Sequence, residues 1–210
     1  MPNISTSRSI LLILLLWLSG LGAALQFAKI AVPFDAFRAL YPDAGGGIGW
    51  MLSIISVIGI FLGMTAGLLA GRFGYKRTLI AGLIIGAIMS FWQATFPTLP
   101  TMLISRLVEG ISHLIIVVVA PTLIAQSSND RIRPMAMTLW STFFGVAFAL
   151  TAWLGLPFVS QFGLGNLLNL HAVFMPSIAA LLSAAFRLPP PIVLSSTPPP
   201  LTSLRHSPPT

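Results

Sequence analysis

The sequence predicts an all-α integral membrane protein with six transmembrane helices, and three observations carry this prediction. Hydrophobic residues make up 56% of the 210 residues and charged residues only 7%. A soluble domain carries about 25% charged residues, so too few charges are present to keep a globular surface in water. The fifteen charged residues (11 basic and 4 acidic) leave long apolar stretches that do not alternate as barrel strands do. Only helices satisfy the backbone hydrogen bonds of such stretches in lipid.

The uncharged stretches divide into six spans, because a helix needs about 20 apolar residues to cross the hydrocarbon core. The longest stretch, 134–186, is long enough for two spans, and Pro157, Gly163 and Gly165 are turn signals in its middle. The predicted spans are 9–32, 48–71, 78–95, 101–125, 135–158 and 168–187. They form one predicted six-span bundle over residues 1–187.

Local signals justify the spans in chain order. Proline and glycine interrupt helices, and a proline at a helix start costs little because that N–H has no partner there. The signals are Pro33 after the first span, glycines 45–47 before the second, the charged turn 72–77, Pro97 and Pro100 around the next connection, the polar run 127–130 after the fourth, and Pro134 at the start of the fifth.

The first span has a second interpretation. Arg8, the apolar run 10–18 and the small residues up to Ala24 resemble a secretory signal peptide. The apolar stretch continues to Val32, which is long enough for a full span, so we expect this segment to be retained.

The distribution of Lys and Arg predicts the orientation, because basic residues concentrate on the cytoplasmic side. With the N-terminus inside, eight basic residues fall in inner connections and only Arg38 in an outer one. Both termini are therefore predicted to be cytoplasmic, in a multi-pass protein of the plasma (inner) membrane. The inner residues are Arg8, Arg72, Lys76, Arg77, Arg131, Arg133, Arg187 and Arg205.

Residues 188–210 differ in composition from the rest of the chain. Prolines 189–191, 198–200, 208 and 209 prevent a helix, and the segment has little apolar surface to bury. We predict a disordered or extended tail that acts as a spacer. A proline motif for a protein partner is the alternative.

Two motifs resemble elements of the major facilitator superfamily. Residues 67–79, GLLAGRFGYKRTL, are similar to the loop that this family carries between its second and third spans, with matches at Gly67, Arg72, Gly74 and Lys76. Gly71 stands where the family usually has Asp. In the family that carboxylate helps to hold the loop against the opposite six-span half, so the resemblance does not extend to this contact. The second motif, 106–110, resembles the family's R-x-x-x-G element, and Ala120-Pro121 is also family-like.

The resemblance implies a transporter fold and a role for the loop. Members have about twelve spans in two six-span halves with the substrate bound between them, and this chain corresponds to the N-terminal half. The resemblance implies a gating loop made of Gly67, Arg72, Gly74, Lys76 and Arg77. The run 106–126 and residues 139–142 are similar to cyanate and nitroimidazole-type permeases within the superfamily.

Charged residues inside a span are expensive in lipid and point to the interior of the bundle. Arg106, Glu109 and His113 are spaced i, i+3 and i+7, so they share a helix face. They form either a buried ion pair or the wall of a polar cavity in which Arg106 meets an anion and Glu109 or His113 takes up a proton. Lys29 is expected to extend to the lipid headgroups, or to share that cavity with Gln26.

Two further groups of residues have open interpretations. Trp140, beside Ser141 and Thr142, is a candidate for the substrate cavity, and anchoring at the membrane interface is the alternative. Gly59, Gly63, Gly67 and Gly71 recur every four residues and form a smooth helix face. Packing within the bundle is the expected use of this face, and contact with a second half or another copy is the alternative.

The composition excludes several classes of function. The chain has no cysteine, and its three histidines at 113, 171 and 206 are far apart, so no metal site is expected. No phosphate loop or nucleophile motif occurs, so no cofactor and no enzyme activity are expected. The net charge of +7 is interpreted against a bilayer rather than nucleic acid.

The predicted function is secondary transport of a small solute, with a small anion favoured, by alternating access. Lipid, a small-molecule substrate, and a second six-span half or a homodimer are the expected partners. The alternatives are a truncated fragment that transports nothing and a membrane interaction or scaffold protein.

Overall fold

The computed structural model describes the backbone of residues 6–185 and the side chains of residues 9–184. Every regular element within that range is helical, and no strand occurs in it. A 3₁₀ segment at Pro42–Gly49 and a π turn at Thr151–Gly155 connect some of the helices. The α-helices are α1 (Thr6–Ala31), α2 (Phe34–Leu40), α3 (Trp50–Phe73), α4 (Tyr75–Gln93), α5 (Leu99–Ser127), α6 (Arg133–Ser141), α7 (Phe143–Leu150), α8 (Leu156–Phe162) and α9 (Leu164–Ala185).

Among the described residues, five helical segments are long and apolar enough to cross a membrane, and they overlap five of the six predicted spans. The third predicted span, 78–95, coincides with most of α4, which has 19 residues and begins with Tyr75, Lys76 and Arg77. The predicted tail 188–210 lies outside the described residues. The five segments are Ser9–Ala31, Pro42–Phe73, Leu99–Ser127, Arg133–Phe162 and Leu164–Ala184.

The connection between α1 and α3 contains regular structure on both sides of the glycine run. It contains α2 and the 3₁₀ segment, and Gly45 adopts a positive φ of 52° that a glycine accepts without strain. The Tyr41 hydroxyl donates a hydrogen bond to the Pro97 carbonyl at 2.7 Å, which joins this connection to the one before α5. Partial burial raises the pKa of the Tyr41 phenol, because the charged form loses hydration.

The predicted fifth span, 135–158, is a series of short helices rather than one uniform helix. A π turn at Thr151–Gly155 precedes Pro157, near the start of α8. Proline lacks an N–H and clashes with the preceding turn, which accounts for the change of helical pitch at this point.

Four helices surround the centre of the bundle. α5 contacts α1, α3 and α4, and α9 packs against α4 and α1. α7 packs on α1, while α3 lies on the outside of α5. The centre is therefore enclosed by α1, α4, α5 and α9, and α3 and the segment α6–α8 lie at the edges.

The buried apolar side chains of these helices and of the segment from α2 to α3 form two main cores at different depths. The larger apolar core includes Leu16 of α1, Leu83 of α4 and Ile116 of α5, with Met175 and Leu182 of α9. The smaller apolar core lies toward the other end and contains Ile30, Phe37, Ile48, Met51, Met102, Leu164 and Leu168.

The glycines that allow close helix packing are not those of the predicted stripe. A Cβ placed on Gly110 of α5 would collide with the backbone carbonyl of Ile55, so only glycine permits this approach of α5 to α3. A Cβ on Gly59 or Gly63 would meet nothing within 4 Å. The expectation that this part of the stripe packs inside the bundle is therefore wrong, because the Gly59–Gly63 face of α3 points away from the neighbouring helices.

Candidate functional site

A layer of buried polar side chains lies between the two apolar cores. Helices α1, α5 and α9 each contribute residues to both apolar cores, with polar positions between them, and α4 runs from the larger core to polar positions at its end. All members of the layer are at most 4% exposed. We call this set the polar layer: Gln26 and Lys29 of α1, Ser90 and Gln93 of α4, Arg106, Glu109 and Ser112 of α5, and His171 of α9.

The carboxylate of Glu109 is the centre of the polar layer. One of its oxygens, Oε1, lies 2.6 Å from the Lys29 ammonium. The other, Oε2, accepts hydrogen bonds from Arg106 Nη1 and, at 2.9 Å, from Gln93 Nε2. Three helices thus donate to one carboxylate, which is the kind of satisfaction that a buried charge needs.

Arg106 also binds two neighbouring helices through their backbones. Its Nε donates to the Met51 carbonyl of α3 at 3.0 Å, and its Nη1 donates to the Gln26 carbonyl of α1 at 2.7 Å. The sequence predicted either a buried ion pair or an anion-binding group for Arg106, and the structure places the guanidinium in a buried pair with Glu109.

Lys29 points into the bundle, so the expectation that it extends to the headgroups is wrong. Its ammonium is 2.6 Å from Glu109 Oε1 and 2.5 Å from Ser90 Oγ, and the residue is 1% exposed. These two acceptors, one of them a buried carboxylate, stabilise the ammonium inside the bundle more than contact with the lipid headgroups would. Gln26 of the same helix is also in the layer, where its Nε2 donates to Ser112 Oγ at 2.7 Å.

His113 and Trp140 lie outside the polar layer. His113 Nδ1 is 3.1 Å from the Ala23 carbonyl, and its ring meets Phe27 edge-on at 4.9 Å between centroids. Seven residues turn a helix back to the same face but advance it by about 10 Å, so His113 lies at a different depth from Arg106. Trp140 packs against Gly20 and Phe143, as a contact between α6 and α1.

The sequence did not identify Ser90, Gln93 or His171 as members of the site. None of these side chains carries a fixed charge, so a search for intramembrane charges passes over them. Ser90 Oγ lies 2.6 Å from His171 Nδ1, and Gln93 bonds Glu109. The spacing of i, i+3 on α4 is a weak signal that could have placed Ser90 and Gln93 on one buried face.

The charges within the polar layer do not balance. Lys29 and Arg106 are two cations, and Glu109 is the one carboxylate among the described residues of the layer. Three buried polar atoms of the layer have no hydrogen-bond partner among the described residues: Arg106 Nη2, Gln26 Oε1 and Gln93 Oε1. The surplus positive charge and the spare guanidinium donor fit a monovalent anion, whereas the two amide oxygens are acceptors that fit a hydrogen-bond donor.

The predicted gating loop is the tight turn between α3 and α4. Gly74 turns the chain with φ of 88°, a conformation that favours glycine, and α4 starts at the next residue. Lys76 Nζ approaches the Ser183 carbonyl of α9 at 3.5 Å. A Cβ on Gly67 or Gly71 would meet one atom each within 4 Å, from Val118 and Tyr75 respectively. Arg72 and Arg77 lie in the same turn region.

Comparison with known proteins gives a family match over most of the chain. A family model described as Major Facilitator Superfamily matches residues 4–209. The "3-(3-hydroxy-phenyl)propionate transporter" of Escherichia coli (strain K12) is 27% identical over 158 residues, which are 73% of this chain and 38% of that protein. "Multidrug resistance protein 1" of Bacillus subtilis (strain 168) is 25% identical over 112 residues, which are 53% of this chain and 29% of that protein.

These matches span well under half the length of either relative. No solved structure matches the chain significantly. The similarity to cyanate and nitroimidazole-type permeases stays a prediction.

Proposed function

The chain belongs to the major facilitator superfamily, and on that premise we propose that it acts in secondary transport of a small anion by alternating access. It is an integral, multi-pass membrane protein. The observation that carries the proposal is the polar layer, in which two cations face one carboxylate in a sealed interior. Such a charge is costly to keep in lipid without a function or a counterion. The proposed activity moves a solute without covalent change, so no enzyme activity is part of it.

The proposed topology has six spans with both termini in the cytoplasm. α4 completes the six spans, since it packs against both α5 and α9 and contributes Ser90 and Gln93 to the layer. The excess of Lys and Arg in the inner connections supports this orientation. The two relatives come from bacteria, which supports the inner plasma membrane as the location.

A substrate with one negative charge matches the surplus in the layer. An anion beside Arg106 and Lys29 brings the sum of charges among these groups to zero. The name of the Escherichia coli relative specifies a carboxylate, 3-(3-hydroxy-phenyl)propionate, which is a small anion of this kind. That compound is therefore the first probe to use with this chain.

In this proposal, alternating access requires a second six-span unit that packs against this chain. The polar layer is closed to solvent, and the edge helices offer faces on which another six-span unit could pack. Met64 of α3 is 96% exposed and Trp153 of the α6–α8 segment is 75% exposed. The second unit is either a second half or another copy of this chain, and the gating role of the turn around Gly74 belongs to the same proposal.

Uptake into proteoliposomes tests the function. We expect saturable uptake of radiolabelled 3-(3-hydroxyphenyl)propionate and no uptake of the uncharged amide of the same acid, because only the carboxylate compensates the surplus cation. Lys29→Met should abolish the preference for the anion, whereas Ile88→Ala, a change at a residue of α4 that is 56% exposed and lies outside the edge helices, should leave it unchanged.

Several outcomes would contradict the proposal. Equal uptake of acid and amide would exclude recognition of the charge. Absence of flux for this probe and for acetate, formate and benzoate, in a chain that is folded by circular dichroism, would favour a fragment or scaffold without transport.

A further inference from the structure

His171 lies in the polar layer and has no part in the anion binding proposed above. Its ring is 4% exposed, and its Nε2 lies 2.9 Å from the Gly22 carbonyl oxygen. A carbonyl oxygen can only accept a hydrogen bond, so Nε2 carries the hydrogen. In the neutral ring, Nδ1 is then a bare acceptor.

A directed chain of donors ends at this acceptor. The Lys29 ammonium, which can only donate, lies 2.5 Å from Ser90 Oγ. Ser90 therefore accepts from Lys29 and turns its own hydrogen elsewhere. The nearest acceptor is His171 Nδ1 at 2.6 Å, whereas Glu109 Oε1 is 3.4 Å away. The order of donation is Lys29 to Ser90 to His171.

Two helices supply the charged groups around His171 in the described part of the chain. α1 contributes Lys29, whose Nζ is 3.5 Å from His171 Nδ1, and α5 contributes Arg106 and Glu109. α4 faces the ring with the uncharged Ser90 and the nearby Gln93, and α9 adds no other charged group within its described residues. The histidine of α5 that is also described, at position 113, bonds Ala23 instead.

These charges limit when His171 can hold a proton. In the empty layer the sum of charges is +1, and a proton on His171 raises it to +2 beside the Lys29 ammonium. With a monovalent anion bound, the sum is 0, and a proton on His171 restores +1. The layer loaded with anion and proton thus has the same charge as the empty layer, so both can be buried in lipid at similar cost.

We propose that His171 is the proton-carrying group of an electroneutral symport of one proton with one monovalent anion. This inference rests on the proposed function and assigns its coupling ion. The negative charge of the bound anion lowers the electrostatic cost of protonating His171. Because the anion and the proton are then carried together, the transport step moves no net charge across the membrane.

The donor chain also provides a route for the proton. Lys29 gives an N–H proton to Ser90 Oγ while Ser90 gives its hydroxyl proton to His171 Nδ1, so each bond that breaks is matched by one that forms. Lys29 then regains a proton from the water on the side from which the anion entered. The net change is one proton gained by the layer and held on His171.

Flux measurements under controlled gradients test the assignment. Proteoliposomes loaded with buffer at pH 7.5 and diluted to pH 6.5 should accumulate 3-(3-hydroxyphenyl)propionate about tenfold, since one proton per anion makes one pH unit worth a factor of ten. A potassium–valinomycin potential should have no effect on this accumulation. His171→Gln should lose the pH-driven accumulation while continuing exchange of labelled for unlabelled anion.

Matched variants separate coupling from folding. His113→Gln makes the same change in a ring outside the donor chain and should retain pH-driven accumulation. Ser90→Ala should lose it, and Ser90→Thr, which keeps the hydroxyl, should restore it. Retained pH-driven accumulation in His171→Gln would overturn the proton assignment alone, whereas absence of flux in the unmodified chain would overturn the proposed function.

Nitrogen NMR of the imidazoles provides a test that needs no flux. In ¹⁵N-histidine-labelled chain in lipid nanodiscs, the signal missing in His171→Gln identifies His171. We expect the Nε2–H neutral form at pH 7 without anion. At pH 6, we expect protonation of both nitrogens in Lys29→Met, in which the surplus cation is absent. An Nδ1–H form, or a His171 that stays neutral in Lys29→Met, would contradict the inference.

Discussion

The central helices and the edge helix α3 use glycine in opposite ways. Gly110 of α5 allows the Ile55 carbonyl to approach, whereas Gly63 of α3 has open space where a side chain would be. Met64, next to Gly63, is 96% exposed, while Glu109, next to Gly110, is fully buried. A regular spacing of small residues therefore does not show which helices pack inside the chain. The positions of the ionised groups indicate the interior more reliably, because burying them requires partners from several helices.

The largest expected effect is the loss of the Glu109 carboxylate from the polar layer. Glu109→Gln leaves Lys29 and Arg106 buried without a counterion, which should lower the free energy of unfolding by about 3–5 kcal/mol. Met64→Ala, on the exposed face, should change it by at most about 0.5 kcal/mol. Thermal or urea unfolding in the same detergent measures both. Similar values for the two variants would remove the distinction between centre and edge.

Glycine substitutions should give the next largest difference. Gly110→Ala forces α5 away from the Ile55 carbonyl, and overpacking of this kind costs about 1–3 kcal/mol. Gly63→Ala adds a methyl group in open space and should be neutral. Unfolding midpoints of the two variants test this. A destabilising Gly63→Ala with a neutral Gly110→Ala would mean that the helices pack differently.

The connection between α1 and α3 should show a smaller effect that depends on pH. Tyr41→Phe removes the hydrogen bond to Pro97 and should cost about 1 kcal/mol at pH 7. Burial raises the pKa of Tyr41, so the folded chain holds the phenolic proton more tightly than the unfolded chain. The contribution of Tyr41 is therefore complete below about pH 10 and is lost as the pH rises further. Unfolding curves from pH 7 to 11 should converge for wild type and variant, and a constant difference would contradict this.

The smallest effect on stability should come from a cysteine on the exposed face of α3. The chain contains no cysteine, so Gly63→Cys introduces one thiol. If a second copy packs on this face, oxidation in membranes should yield a disulfide-linked dimer. Ile88→Cys, at a residue of α4 that is 56% exposed, is the matched control and should stay monomeric. Equal crosslinking of both, or of neither, would argue against a second copy on α3.

Much of the fold could be predicted because lipid imposes simple rules on this composition. The breaks at Pro33, Gly74 and Pro134 fall at or near observed helix ends, since proline and positive-φ glycine act locally. Arg106 and Glu109 could be recognised because unpaired charges are rare in spans.

The remaining features depend on contacts between distant segments. Lys29 is close to the end of its span, so its sequence position suggests the headgroups, and only Ser90 and Glu109 bring it inward. His171 is an isolated polar residue whose partners lie on α1 and α4, 149 and 81 residues away in sequence. The Gly59–Gly63 face could not be assigned, because spacing alone does not specify the partner.

Lys29→Met tests most directly whether the polar layer holds one cation more than it can neutralise. This change leaves Arg106 and Glu109 as a balanced pair, with Gln93 still bonded to the carboxylate. Both variants should lower the free energy of unfolding. We predict that the loss in Lys29→Met is smaller than the loss in Glu109→Gln by at least about 2 kcal/mol, measured in one detergent at pH 7. Equal destabilisation by the two variants would show that Lys29 is an ordinary partner in a neutral network, and the account of an anion-binding site would fail.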